Sequence, residues 1–190
     1  MGSFDFVLLL LSFVYALALG HFLTRLGVLL LARDRVRVSG LLALAMLNAV
    51  TQIFIGWLAL WDFRDATSWD LYTVTLFFIS SILIFLMAAS VSPDATAEGE
   101  VDLEAFYWKN YKLFYALYVG LLVAYIAMCA VYLRTSQPEL AWQQATANIP
   151  YLIVSLIAIY VPSRWVQWAM GLVLFAMSTA WAIAFNTSIH

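Results

Sequence analysis

His21 and Arg25, in the stretch "GHFLTRLG" (residues 20–27), are four positions apart and so share one face of a helix. An imidazole there can ligate a metal or pigment, or change its charge between about pH 5 and 8, and a guanidinium can bind an anionic group. Both residues lie inside a mostly apolar run from Phe4 to Ala32, where ionisable groups are costly. A structural reading competes with the chemical one. Arg25 can snorkel to polar headgroups while His21 packs between helices with one hydrogen bond. Their place toward one end of the run favours snorkelling.

A second constellation is a tyrosine seam. Tyr111, Tyr115, Tyr118, Leu122, Tyr125, Cys129 and Tyr132 alternate steps of four and three, a heptad stripe along one helix. A phenol facing lipid tails leaves its hydroxyl unpartnered, so Tyr118 and Tyr125, in the middle, are expected to face protein, water or a ligand. Tyr111, Tyr115 and Tyr132 fit an interfacial belt. On another face Ala116, Gly120 and Ala124 form a small-residue stripe that invites a neighbouring helix. A third set is a neutral polar layer: Asn48, Thr51 and Gln52, then Ser80 and Ser81, then Ser155. Such groups glue helices through bonds of about 1 kcal/mol or less, or line a path for a neutral solute.

Catalytic kits are missing. No HExxH, GxSxG or P-loop occurs, and the acids fall in linkers, at helix ends or near the N-terminus. Coupled transporters commonly hold a carboxylate at mid-membrane, so that class loses weight. With His21 and His190 the only histidines, a bis-histidine haem within one chain is not expected. The single Cys129 gives neither a disulfide framework nor a metal cluster. No metal and no particular cofactor is implied, and a net charge of −2 leaves no basic field for nucleic acid.

The elements that must position these residues follow from composition. A chain that is 65% hydrophobic and 11% charged cannot solvate a soluble surface, whereas lipid can cover it. The expected fold is an all-α integral membrane protein, a single domain over residues 1–190 built as a six-helix transmembrane bundle with short linkers. Spans are expected near Phe4–Leu31, Leu41–Trp61, Leu71–Val91, Leu113–Leu133, Trp142–Val161 and Trp165–Phe185. The fifth contains Pro150, which predicts a kink, and the short turn at Pro162 makes the last two helices an antiparallel hairpin. Arg33, Arg35, Arg37, Lys109, Lys112 and Arg164 flank one side, against Arg64 and Arg134 on the other. The positive-inside bias puts linkers one, three and five in the cytoplasm and both termini outside.

The stretch "HFLTRLGVLLLARDRVRVSGLLALAMLNA", then "GWLALWDFR" and the acidic "VDLEAFYWKNYKLFYAL", resembles bacterial multi-helix inner-membrane proteins with no assigned activity. The resemblance implies a bacterial inner (cytoplasmic) membrane and transfers no function. The expectation is a non-enzymatic accessory or assembly subunit of a larger membrane complex, its partners being lipids and other transmembrane helices. One alternative is a small oligomeric channel or transporter for a neutral or weakly anionic solute. Another is a pigment- or lipid-binding protein centred on His21.

Overall fold

A computed structural model of the protein describes residues 3–63, 71–95, 99–134 and 138–188. Arg64, Glu98 and His190 lie outside the described residues, as do the side chains of Tyr132 and Arg134. Six helices follow in order: α1 (Ser3–Leu31), α2 (Gly40–Ala59), α3 (Leu71–Ser90), α4 (Leu103–Arg134), α5 (Pro138–Tyr160) and α6 (Arg164–Ser188). Five of them, all but α5, are long and apolar enough to cross a membrane. In α5 the apolar stretch among the described side chains, Ala145–Tyr160, is shorter.

The boundaries differ most at α4, which starts at Leu103 rather than Leu113. Asp102 Oδ1 accepts from the backbone N–H groups of Glu104 and Ala105, both at 2.9 Å, and so caps the first turn. No Gly or Pro interrupts residues 103–112, so the helix runs on through this polar, aromatic stretch. Ser39 does the same for α2, accepting from Leu42 N at 3.4 Å.

The chain is not purely helical. Two residues of the first linker, β1 (Val36–Arg37), pair in parallel with β2 (Val101–Asp102), in the register Val36↔Val101 and Arg37↔Asp102. This ribbon draws the first and third linkers together at one end of the bundle. Side chains reinforce it. Arg37 Nη1 donates to Asp102 Oδ2 at 3.3 Å, and Arg35 donates to the carbonyls of Ala95 (2.8 Å) and Gly99 (3.3 Å). Gly99 sits at φ +119°, a conformation that L side chains rarely adopt. The Ser39 hydroxyl donates to Glu104 Oε2 at 2.6 Å, and Trp108 Nε1 donates to Glu104 Oε1 at 3.1 Å. The Ala105 N–H, then the Glu104 N–H and Arg37, hold the Asp102 carboxyl below its usual value. Arg164, after the fifth linker, adds its field at Glu104, so all three odd linkers meet here.

In the body, α4 packs against α5 and α3, α1 against α3, and α2 against α6. Leu11, Ala18, Ala49, Ile84, Met87, Leu121 and Leu174 are buried between them. Among the described glycines, the tightest surroundings are in α2 and α6. A Cβ on Gly40 would lie 2.8 Å from Trp168, one on Gly56 2.6 Å from Ile84, and one on Gly171 2.7 Å from Leu44. The outer face of α1 presents Phe6, Leu9, Phe13, Leu17, Leu23 and Leu30.

Candidate functional site

The hydrophobic seam of α4 faces inward. Tyr111, Tyr115, Tyr118, Leu122 and Cys129 are all buried, so Tyr111 and Tyr115 belong to the core rather than to a surface belt. Around the second half of this seam the helices leave a cavity of about 120 Å³ that is not sealed. Every helix contributes to its wall: Tyr15 from α1, Gln52 and Gly56 from α2, Phe77 and Ser80 from α3, Tyr118, Tyr125 and Cys129 from α4, Asn148 and Tyr151 from α5, and Ser178 and Trp181 from α6. It lies toward the end of the bundle where α2 stops at Ala59, away from the ribbon. Gly56 lets the Tyr15 ring of α1 pack closely against α2, since a Cβ there would sit 3.1 Å from it.

The polar floor of the cavity is a network joining α2, α4 and α6. Gln52 Nε2 donates to the Tyr118 hydroxyl at 2.7 Å and to Ser178 Oγ at 2.9 Å, and those two hydroxyls lie 3.5 Å apart. Tyr151 approaches Ser178 from α5. The Tyr125 hydroxyl is buried without a hydrogen-bond partner among the described residues. Among the described residues no Asp, Glu, Lys, Arg or His lines the cavity. A charge is not stable there without a partner, so the arrangement suits a neutral occupant. Among the described residues no cluster of His, Cys, Asp or Glu can hold a metal.

The residues singled out from the sequence thus divide. Tyr118, Tyr125, Gln52 and Ser80 come together on the cavity wall. Asn48 lies outside it and ties α2 to α6, its Nδ2 donating to the carbonyls of Leu44 (3.0 Å) and Gly171 (3.1 Å). Thr51, Ser80 and Ser81 donate to carbonyls of their own helices, at Leu47, Leu76 and Phe78, so they do not bridge. Ser155 Oγ is buried without a partner among the described residues.

His21 and Arg25 are not part of the cavity wall. The His21 ring packs on Phe85 of α3 with centroids 5.8 Å apart, and Arg25 Nη1 pairs with Asp94 Oδ1 at 2.7 Å. On the small-residue stripe Ala116 is exposed, Ala124 is buried, and a Cβ on Gly120 would make ordinary contact with Leu83 at 3.6 Å.

Sequence reading passed over Ser178, Asn148, Tyr151 and Tyr15, all of the cavity wall, and Gln167. Gln167 is buried at the start of α6. Its Nε2 donates to the carbonyls of Ala158 (2.7 Å) and Val161 (3.0 Å), and its Oε1 accepts from the Tyr107 hydroxyl (2.8 Å). A signal for it existed. Pro162 has no N–H to give the Ala158 carbonyl, so some nearby donor was required. No family model matches the chain, and no curated protein or solved structure matches it.

Proposed function

We propose that this chain is a six-helix protein of a bacterial inner membrane that binds a neutral, largely apolar small molecule in the cavity between its helices, as a carrier or receptor. The observation that carries the reading is the cavity itself: all six helices build it, none of the described residues on its wall is charged, and a buried hydroxyl on that wall lacks a partner among the described residues. Ligand sites are usually concave, mainly apolar and furnished with a few placed polar groups. The membrane setting is supported by five long apolar helices and by the large apolar side chains on the outer face of α1. Helix α5 makes the sixth crossing, because it runs antiparallel between α4 and α6 and its polar first turns lie at the bundle end. The Lys and Arg excess around the odd linkers supports an orientation with the ribbon in the cytoplasm and both termini outside.

The accessory-subunit expectation rests on the absence of a catalytic set in the sequence, and one purification tests both readings. The protein is extracted in mild detergent, and bound compounds and chains are identified by mass spectrometry. A neutral compound held by the parent and lost from Ala59→Phe, whose ring would fill the cavity, supports the binding reading. Equal retention by parent and variant would overturn it. Stoichiometric foreign chains would favour the accessory role, and a coloured compound lost only from His21→Gln would move the site to His21.

A further inference from the structure

Most cations at the ribbon end of the bundle already have partners. Arg25 pairs with Asp94 at 2.7 Å, Arg33 with Asp34 at 3.8 Å and Arg37 with Asp102 at 3.3 Å. Arg35 donates to two linker carbonyls, and the field of Arg164 falls on Glu104. Lys109 and Lys112 differ. Both are exposed on α4, and neither pairs with a carboxylate among the described residues. Lys112 Nζ has only a loose contact, 6.0 Å from the centroid of the Tyr111 ring. Glu104, five residues before Lys109, lies on another side of the helix, where Ser39 and Trp108 hold it.

The face that carries these lysines continues along the helix as an apolar one. Lys109, Leu113, Ala116, Gly120 and Val123 step by four, three, four and three, so they share one side of α4, with Lys112 beside them. Leu113, Ala116 and Val123 are exposed and Gly120 is half-exposed. At Ala116 and Gly120 little or no side chain covers the backbone, so a shallow furrow runs between Leu113 and Val123. Leu83 of α3 lies alongside, 3.6 Å from where a Cβ on Gly120 would stand. From Leu113 to Val123 the helix rises about 15 Å, half of a hydrocarbon core of about 30 Å. None of these residues belongs to the cavity wall.

We propose that this face of α4 binds an anionic phospholipid, with its phosphate at Lys109 and Lys112 and one acyl chain in the furrow over Ala116 and Gly120. The inference rests on the membrane setting of the long apolar helices and is independent of the cavity. Two ammonium groups without a counter-charge, one turn apart where the apolar surface begins, complement a headgroup of net negative charge. A zwitterionic headgroup carries its own cation beside the phosphate and gains less. An acidic protein segment has no use for the apolar furrow that follows the lysines. A second copy of this chain, inserted the same way and packed on the same face, would set two lysine pairs against each other at one depth.

The test is native mass spectrometry of the full chain, stripped of lipid in a neutral detergent and titrated with dioleoyl phosphatidylglycerol or dioleoyl phosphatidylcholine. The two lipids share their chains and differ in net headgroup charge. The anionic lipid is expected to bind tighter by roughly twentyfold, each lysine supplying about fivefold. Lys109→Gln and Lys112→Gln are each expected to lower that preference by about fivefold, and the double variant to remove it. Arg33→Gln, at the same end but off this face, is expected to leave it intact. Ala116→Leu fills the furrow and is expected to weaken both lipids without changing their ratio. All four positions are exposed, so every variant is expected to melt with the parent. Equal retention of the two lipids, an unchanged preference in the double lysine variant, or the same loss in Arg33→Gln as in a lysine variant would overturn the headgroup assignment. Unaltered binding in Ala116→Leu would overturn the furrow, and dimers in place of lipid adducts would overturn the lipid as occupant. Binding of neither lipid would overturn the site and leave the cavity standing, whereas a chain that stays folded and soluble without detergent would overturn the membrane setting itself.

Discussion

Replacing Gln167 by Leu removes the device that closes the α5–α6 hairpin. The Ala158 carbonyl is orphaned, because residue 162 is a proline and Gln167 Nε2 at 2.7 Å takes the place of the missing N–H. A buried acceptor left alone costs about 1–3 kcal/mol. The Val161 carbonyl keeps the Ser163 N–H at 2.9 Å, and the Tyr107 hydroxyl keeps Tyr115 as a neighbour, so those two bonds carry only their net value, about 0.5–1 kcal/mol each. Leucine fills nearly the same volume, so no cavity term is added. The sum is a loss of about 2–4 kcal/mol, read from reversible unfolding in mixed micelles with increasing denaturing detergent. Gln167→Glu supplies a control. At neutral pH its carboxylate faces two carbonyls and is expected to be at least as harmful as Leu. Protonation at acid pH restores a donor, and stability is expected to recover. A loss below about 0.5 kcal/mol in Gln167→Leu, with no acid recovery in Gln167→Glu, would refute the assignment.

Further outcomes follow from the same contacts. Gly171→Ala is expected to destabilise by about 1–3 kcal/mol through overpacking, since its Cβ would meet Leu44 Cδ2 at 2.7 Å. Gly120→Ala, with open contact to Leu83, is expected to be neutral or slightly stabilising in the same melts. Arg25→Lys is expected to change stability by under about 1 kcal/mol, because the pair with Asp94 is 30% and 56% exposed. Asp102 has a folded-state pKa below its model-peptide value of 3.8, so its stabilising effect is complete above that pH and is lost as pH falls through the lower folded value. Thermal melts across the acid range are expected to show that step in the parent and to lack it in Asp102→Asn.

The helices were readable because a long apolar run has few ways to satisfy its backbone other than as a helix. The inward side of α4 was readable because phenols at heptad spacing need partners. The gathering of the odd linkers was implied by alternating helix direction. What brings them into contact was not: Val36 and Val101 are far apart in the chain, and two-residue strands carry no periodicity. For the same reason Asp94 could not be identified as the partner of Arg25, which was expected to reach headgroups instead. The early start of α4 was hidden because residues 103–112 are largely polar and extend the helix beyond its apolar span, although Asp102 two residues before Glu104 is a capping signal. The cavity was half legible. Gln52, Tyr118 and Tyr125 stood out as polar groups in apolar runs, but which of them meet, and that Ser178 and Asn148 join them, depends on helix rotation and on how α5 and α6 pack.

Cys129 is the only cysteine in the chain, and it lines the cavity, so it reports directly on whether that space is real, reachable and uncharged. The measurement is the rate of Cys129 modification in membranes by three methanethiosulfonates of similar size, one neutral, one anionic and one cationic, followed by mass spectrometry. The account predicts that the neutral reagent modifies Cys129, that both charged reagents are much slower, and that Ala59→Phe slows the neutral one. Equal rates for all three reagents, or no reaction with the neutral one, would contradict a cavity built for a neutral molecule.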